Sequence, residues 1–270
     1  MNEYVKANRD LWNAWTPHHV RSAFYDVEGF KAGRVRLRHG VDHLHTRLVG
    51  DVRGKRFLHL QCHFGLDTIA WAQRGAVVTG IDFSSEAINA ARALADEMKI
   101  PATFVCSDVY ELPSNLEGTF DIVYTSGGVL FWLRDLDRWA AIVAHFLAPG
   151  GVFYILEMHP VINVFDRQDA SGLRVAYPYF HTPEPLAFPV RGTFADQDAG
   201  QETVEYCWNY GLGEVITALI GAGLRIEYVH EFPYATARWF PFMRQGADGW
   251  WRWEDPTSTL PLMFSLRATK

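Results

Sequence analysis

From Lys55 to His159, short apolar runs alternate with longer stretches at helical spacing, and few architectures accept that rhythm. Phe57–Gln61, Val77–Asp82, Thr103–Asp108, Phe120–Thr125 and Val152–His159 read as strands. Leu66–Gly75, Ser85–Met98 and Leu136–Gly151 read as helices, the second with Ser84 or Ser85 as its N-cap, the last ended by a Pro-Gly-Gly turn. The strands are apolar on both faces. Strands of that kind, separated by helices, predict a buried parallel α/β sheet with right-handed crossovers. The rhythm returns near the end: Gly213–Gly223 reads as a helix, Leu224–Phe232 as a strand and Pro261–Ala268 as a final strand.

The flanking segments follow other rules. Tyr4, Leu11, Trp12 and Trp15 recur at helical spacing, and a break is expected at Thr16–Pro17. A turn-rich stretch, Phe24–Gly33, then leads to a polar helix-like run ending near Gly50. Between Pro160 and Gly211 stand five prolines and two β-like stretches, Leu173–Phe180 and Glu202–Tyr210. This reads as an inserted lid, a hairpin or small antiparallel patch. The expected organisation is a helical cap over 1–54, an α/β core over 55–159, a substrate lid over 160–212 and the rest of the core over 213–270.

Composition narrows the function. The 270 residues carry a net charge of −6, which argues against a nucleic-acid partner, since such binders usually present a basic face. Three scattered cysteines offer neither a disulfide framework nor a metal-ligand spacing, so no metal is expected. Free thiols point to a cytoplasmic protein. The first ten residues lack the apolar region of a signal peptide, and no apolar run is long enough to cross a membrane.

Ligands of open parallel sheets bind beyond the carboxyl ends of the strands. Polar residues at those ends here suit an adenosine-containing ligand. The first strand turns tightly into its helix, with Gly65 at the helix start, where backbone N–H groups suit an anion. Asp82, ending the second strand, suits two ribose hydroxyls, and Phe83 an adenine face. Asp108, after the third strand, suits the adenine amine, with the Val109 N–H on a ring nitrogen. Any one strand-end Asp often merely caps the next helix. Three polar ends in order, about twenty-five residues apart, are far more specific.

At this point a resemblance can be named. Over residues 55–160 the strings KRFLHLQCHFGLDTIAWAQRGAVVTGIDFSSEAINAAR, FVCSDVYELP and FDIVYTSGGVLFWLRDLDRWAAIVAHFLAPGGVFYILE, with the later GEVITALIGAGLRIEYVHEF, resemble the core of class I S-adenosylmethionine-dependent methyltransferases. LQCHFGLDT followed by VTGIDFS is similar to a bacterial small-molecule subgroup. The resemblance implies a seven-stranded Rossmann-like sheet of order 3-2-1-4-5-7-6 with its last strand antiparallel. It also implies S-adenosyl-L-methionine as methyl donor and S-adenosyl-L-homocysteine as product. The family's first loop carries an acidic residue and then three alternate glycines. Those places hold His59, Gln61, His63 and Gly65 here, so only one glycine remains. His59 reads as a core histidine satisfied by backbone, and His63 as either a cofactor contact or a turn residue. In place of the missing acid, the methionine ammonium would use the Leu60 carbonyl, the Gln61 amide oxygen or Thr125.

A sulfonium methyl is already activated, so such an enzyme aligns the acceptor in line and excludes water. Glu157 and His159, two apart at the end of the fifth strand, should share a face beside the transfer centre, there to orient or deprotonate the acceptor. The alternative is that Glu157 pairs with a lid arginine and His159 only precedes the Pro160 turn. His230, Glu231 and the unplaced Glu205 are weaker candidates. For the substrate, Tyr25, Trp132, Trp208 and Trp239 are the candidates, while Trp12, Trp15, Trp250, Trp251 and Trp253 pack the cap and last loop or join them. Arg174, Arg191 and Arg238 suit an anionic group or plain solvent.

The leading expectation is methyl transfer to the O, N or C of a small, largely apolar or aromatic molecule. The protein is expected as a monomer or homodimer with no membrane or nucleic-acid partner. Two other readings stand beside it: a methyltransferase fold that has lost catalysis and serves in binding or regulation, and a nicotinamide oxidoreductase, which would lack its GxGxxG cradle.

Overall fold

In the computed structural model, which describes residues 2–34, 42–196, 199, 202–255 and 257–270, the alternating pattern becomes a layered α/β sheet. Three helices come first, α1 (Glu3–Arg21), α2 (Val27–Lys31) and α3 (Asp42–Val49). The polar run expected before Gly50 lies partly outside the described residues; its described part is α3.

The core then alternates β1 (Arg56–His59), α4 (Leu66–Gln73), β2 (Val77–Asp82), α5 (Ser85–Met98), β3 (Thr103–Cys106), α6 (Leu112–Asn115), β4 (Phe120–Ser126), α7 (Leu136–Phe146) and β5 (Leu147–Met158). The insertion carries β6 (Leu186–Val190) and β7 (Thr203–Cys207). After it come α8 (Leu212–Gly221), β8 (Arg225–Phe232), β9 (Met243–Gln245), β10 (Trp251–Trp253) and β11 (Met263–Thr269).

The seven-stranded sheet has the order β3-β2-β1-β4-β5-β11-β8. Counting only its own strands, that is 3-2-1-4-5-7-6, as expected. β1 to β5 pair in parallel, and β11 runs antiparallel between β5 and β8. Alternate side chains feed two cores, one on each face. Phe57, Ile122 and Tyr154 pack with Trp71 on one face; Leu58, Val123 and Phe153 pack with Trp139 on the other. Phe57 and Leu58 are both fully buried, so neither face of β1 meets water. Each such residue contributes about 1.5–3 kcal/mol by burial.

Three expectations need correction. α1 does not stop at Thr16 but runs through Pro17 to Arg21. A proline removes one backbone donor and costs about 3 kcal/mol in a helix interior. Here the turn is held by packing: Trp15 and His19, on either side of Pro17, are buried, and Thr16 Oγ1 donates to the Trp12 carbonyl at 2.8 Å.

Leu173–Phe180 is no strand; it makes an isolated bridge between Phe165 and Val175. The partner of β7 is β6, with Pro189 opposite Val204 in an antiparallel pair. A two-stranded ribbon has only edge strands, where proline is tolerated. Finally, α7 ends at Phe146, and β5 takes up Leu147 through a register shift before Val152. Among the described residues, no helix is long and apolar enough to cross a membrane.

Candidate active site

The turn after β1 is where the sequence departs most from a glycine-rich loop, yet its backbone does not. Gln61, His63 and Gly65 have φ of 54°, 53° and 79°, all left-handed, at alternate positions. Only glycine adopts this conformation freely; other residues pay roughly 1–2 kcal/mol each. Gly65 has a second reason to be glycine, because a Cβ there would sit 2.7 Å from the Phe104 ring and 2.9 Å from Ala91 Cβ. The loop is held by the Leu60 N–H on the Tyr124 carbonyl and the Cys62 N–H on the Ile81 carbonyl.

His59 is buried beneath this turn, with Nδ1 2.8 Å from Thr68 Oγ1, so a side chain rather than backbone satisfies it. Burial pulls its pKa down to about 3, helped by nearby His45, whose own pKa burial also lowers to about 3. A neutral imidazole therefore stands where the family carries an acid. Gln61 Nε2 reaches the Val129 carbonyl at 3.4 Å, while Gln61 Oε1 is buried with no hydrogen-bond partner among the described residues. Thr125 is fully buried, and its hydroxyl donates to the Leu60 carbonyl at 3.1 Å. Of the three groups considered for an ammonium, Gln61 lines the cavity, whereas Leu60 and Thr125 do not.

Asp82 closes the next strand end. Its Oδ2 accepts the His63 N–H at 2.9 Å and its Oδ1 the Ser84 N–H at 2.9 Å. Burial raises its pKa to about 6, against those backbone N–H groups and that of Phe83, which favour the charge. Ser84, not Asp82, caps α5 through the Ala87 N–H. Asp108 Oδ1 caps a 3-10 turn over Val109–Glu111 by accepting the Tyr110 N–H at 3.0 Å. Its Oδ2 is buried and has no hydrogen-bond partner among the described residues. Gln61, His63, Gly65, Asp82, Phe83, Asp108 and Val109 all line one cavity of about 1120 Å³; Thr125 lies behind its wall.

Of Glu157 and His159, expected to share a face, only one faces the cavity. Glu157 lines the cavity, but its carboxylate accepts four backbone N–H groups, from Gly128 (2.6 Å), Val129 (2.6 Å), Leu130 (3.3 Å) and Met158 (2.7 Å). Those contacts hold the loop after β4 rather than present a base. Burial raises its pKa while the four donors oppose the rise. β5 ends at Met158, so the period-two rule stops before His159. That ring turns away from the cavity, accepts the Val161 N–H on Nδ1, and brings Nε2 to 2.8 Å from Glu231. Among the described residues, neither makes an ion pair with an arginine of the insertion. His230 stacks on Tyr228 at the far end of the sheet, with ring centroids 4.4 Å apart.

The aromatic side chains divide. Trp12, Trp15, Trp132 and Phe194 form an aromatic cluster lining the cavity, with Trp12 centroids 5.4 Å from Trp15, 5.3 Å from Trp132 and 6.4 Å from Phe194. Tyr25 packs on Phe64 and His63 and lines the cavity, as does Trp239. Trp208 instead belongs to the core, its backbone N–H on the Phe131 carbonyl. Arg174 is taken by Asp166 and Asp169, whereas Arg191 and Arg238 line the cavity. Three lining or supporting residues were not singled out or placed by sequence: His19, Arg167 and Glu205. His19 was legible, since Trp12, Trp15 and His19 keep helical spacing once α1 continues past Pro17. Among the described residues, no three His, Cys, Asp or Glu side chains form a metal-ligating group.

Comparison with known proteins agrees with this strand order. A family described as "Methyltransferase domain" matches residues 57–151. A ubiquinone biosynthesis O-methyltransferase of Alkalilimnicola ehrlichii is 34% identical over 166 residues, which is 61% of this chain and 63% of that protein's length. The protein of the same name from Bordetella avium is 33% identical over 168 residues, 59% of this chain and 69% of its own. An S-adenosylmethionine-dependent methyltransferase structure from Mesorhizobium loti superposes with a TM-score of 0.57 at 23% identity, covering 86% of this chain and 98% of that one. With this strand order and 33% identity over an alignment that covers 69% of the Bordetella protein, the chain belongs to the class I S-adenosylmethionine-dependent methyltransferases.

Proposed function

We propose that this protein transfers the methyl group of S-adenosylmethionine to a small, largely apolar or aromatic molecule. The observation that carries the reading is the convergence, in one cavity, of the two strand-end carboxylates Asp82 and Asp108 with a wall of tryptophans.

The residues present fit the cofactor. The buried Asp108 Oδ2 lacks a hydrogen-bond partner among the described residues, and an adenine amine is a donor of the right kind. Each Asp82 oxygen accepts one backbone N–H and keeps a lone pair for a ribose hydroxyl. Phe83 offers a ring face beside them. Gln61 Oε1, also buried and without a partner among the described residues, is the acceptor for the methionine ammonium in place of the family's acid. When bound, the cofactor supplies a methyl group already activated as a sulfonium. The chain's own part is to position and to exclude water. Asp82 and Asp108 fix the nucleoside. Glu157 pins Gly128–Leu130, and with them the wall that carries Phe131 and Trp132. Trp12, Trp15 and Phe194 give the cavity an apolar wall that keeps water from the displacement.

Family membership sets the nicotinamide reading aside. Calorimetry with S-adenosylhomocysteine tests what remains: micromolar binding is expected, and absence of heat at about millimolar ligand overturns the reading.

A further inference from the structure

The insertion brings two opposite charges to the acceptor side of the cavity. Arg167 follows the 3-10 turn Pro160–Val164 after β5, and Glu205 is the central residue of β7; both line the cavity. β7 is fixed in place. The Tyr206 N–H donates to Asn8 Oδ1 at 2.9 Å, Asn8 Nδ2 returns a bond to the Tyr206 carbonyl, and the Trp208 N–H bonds Phe131. Glu205 thus sits beside the loop after β4. Asp82 and Asp108 lie on the other side of β1, at the ends of β2 and β3. A nucleoside held by those two carboxylates would leave the β4 side of the cavity, where Glu205 stands, for the methyl acceptor.

Arg167 is the groups' common neighbour. Its guanidinium donates to Asn163 Oδ1 at 2.7 Å and lies 3.9 Å from Met158 Sδ, within the field of Glu205, Cys207, Glu157 and Tyr177. The charged and titratable groups that act on Glu205 are Arg167 and, on its own strand, Cys207; Glu157 acts in turn on Arg167, Arg191 also lines the cavity, and Phe188 is the register partner of Glu205 on β6. Burial pushes Glu205 up to about 7, against the pull of Arg167. A carboxylate so placed is half-ionised near neutral pH, the range in which a general base works best.

We propose that Glu205 is the general base of the reaction and Arg167 the group that holds the acceptor oxygen, so that the acceptor is a hydroxyl on an aromatic ring. This rests on the cofactor reading above. The phenolic O–H gives its proton to Glu205. The oxygen's electron pair forms the new O–CH3 bond as the S–CH3 bond breaks, its pair staying on sulfur. Arg167 stabilises the charge building on oxygen, and Glu205 later releases its proton to solvent.

The test uses the full chain and 4-nitrocatechol, whose phenolate absorbs at longer wavelength than its phenol. S-adenosylhomocysteine affinity is measured first; its absence sinks the cofactor reading rather than this one. With that ligand bound, the probe's phenolate band should appear about one pH unit lower than in free solution, and Arg167→Gln should abolish the shift. With S-adenosylmethionine and unsubstituted catechol, whose hydroxyls stay protonated near neutral pH, Glu205→Gln should lower kcat by about 100-fold and remove the acid limb of the rate profile near pH 7, leaving S-adenosylhomocysteine affinity within about twofold. Glu205→Asp should restore the limb and part of the rate. If Arg167 and Glu205 only tie the insertion to the sheet, Glu205→Gln and Glu205→Asp will change stability and leave the profile alone. A protein that binds S-adenosylhomocysteine but neither shifts nor methylates the probe, or a Glu205→Gln variant with the wild-type profile, overturns the proposal.

Discussion

His19 Nδ1 lies 2.8 Å from His63 Nε2, so the first helix is bonded to the turn that follows the first strand. The same His63 gives its backbone N–H to Asp82. Cap, turn and strand end are therefore one connected unit. His19→Ala should weaken S-adenosylhomocysteine binding by about 1 kcal/mol, the worth of one hydrogen bond. Calorimetry checks the affinity, and hydrogen exchange should show α1 less protected in the variant.

Asp82→Ala removes an acceptor from two backbone donors as well as from a ribose. Affinity for S-adenosylhomocysteine should fall by roughly 1.5–3 kcal/mol. Asp82→Asn keeps one acceptor oxygen and should lose less. Equal affinities for the wild type and the alanine variant would remove Asp82 from the site.

Glu157→Gln replaces a four-way acceptor with a group that has one acceptor oxygen and a donor aimed at other donors. The loss expected is about 2–4 kcal/mol of stability, read as a lower Tm, with the loop over residues 127–132 exchanging faster. A variant of unchanged Tm and reduced turnover would return Glu157 to the role of a base.

These three positions differ in how far the sequence disclosed them. Asp82 and Asp108 were legible because apolar alternation marks where strands end, and ends of parallel strands face the ligand. The role of Glu157 was not, since its partners are backbone N–H groups some thirty residues earlier, which no residue pattern records. The pairing of β6 with β7 was hidden for a similar reason: register between distant segments is settled by the cap and the β4 loop, to which Asn8 and Phe131 bind β7. His19 was lost to a local rule, that proline ends a helix, which packing of Trp15 and His19 overrode.

His59 gives a pH dependence. Its folded pKa is about 3, below the unfolded value of 6.5. The unfolded chain therefore takes up a proton first as pH falls. The stability this neutral ring contributes is complete above pH 6.5 and drains away as pH drops toward 3. His59→Asn should be less stable than wild type at about pH 7.5, and the gap should narrow by about 1–2 kcal/mol at about pH 5. Asp82 and Glu205 have raised pKa values and act with the opposite sign, but equally in both proteins, so they cancel in the difference. Denaturant melts at the two pH values measure it.

Gly65→Ala should cost more than about 2 kcal/mol, from both the left-handed φ and the Phe104 contact. Gln61→Gly should leave Tm unchanged or higher by relieving strain, yet weaken S-adenosylmethionine binding through loss of the amide oxygen. A Gln61→Gly variant with full affinity would show that the ammonium is held elsewhere.

The left-handed turn also limits how this pocket can be re-engineered or can drift. A library randomised at positions 61 and 63 should return a short alphabet rich in Gly, Asn and Asp, with β-branched residues purged. Within that alphabet each codon change alters the chemistry facing the ligand while the main chain stays put. Specificity here is thus open to revision one residue at a time, without rebuilding the scaffold beneath it.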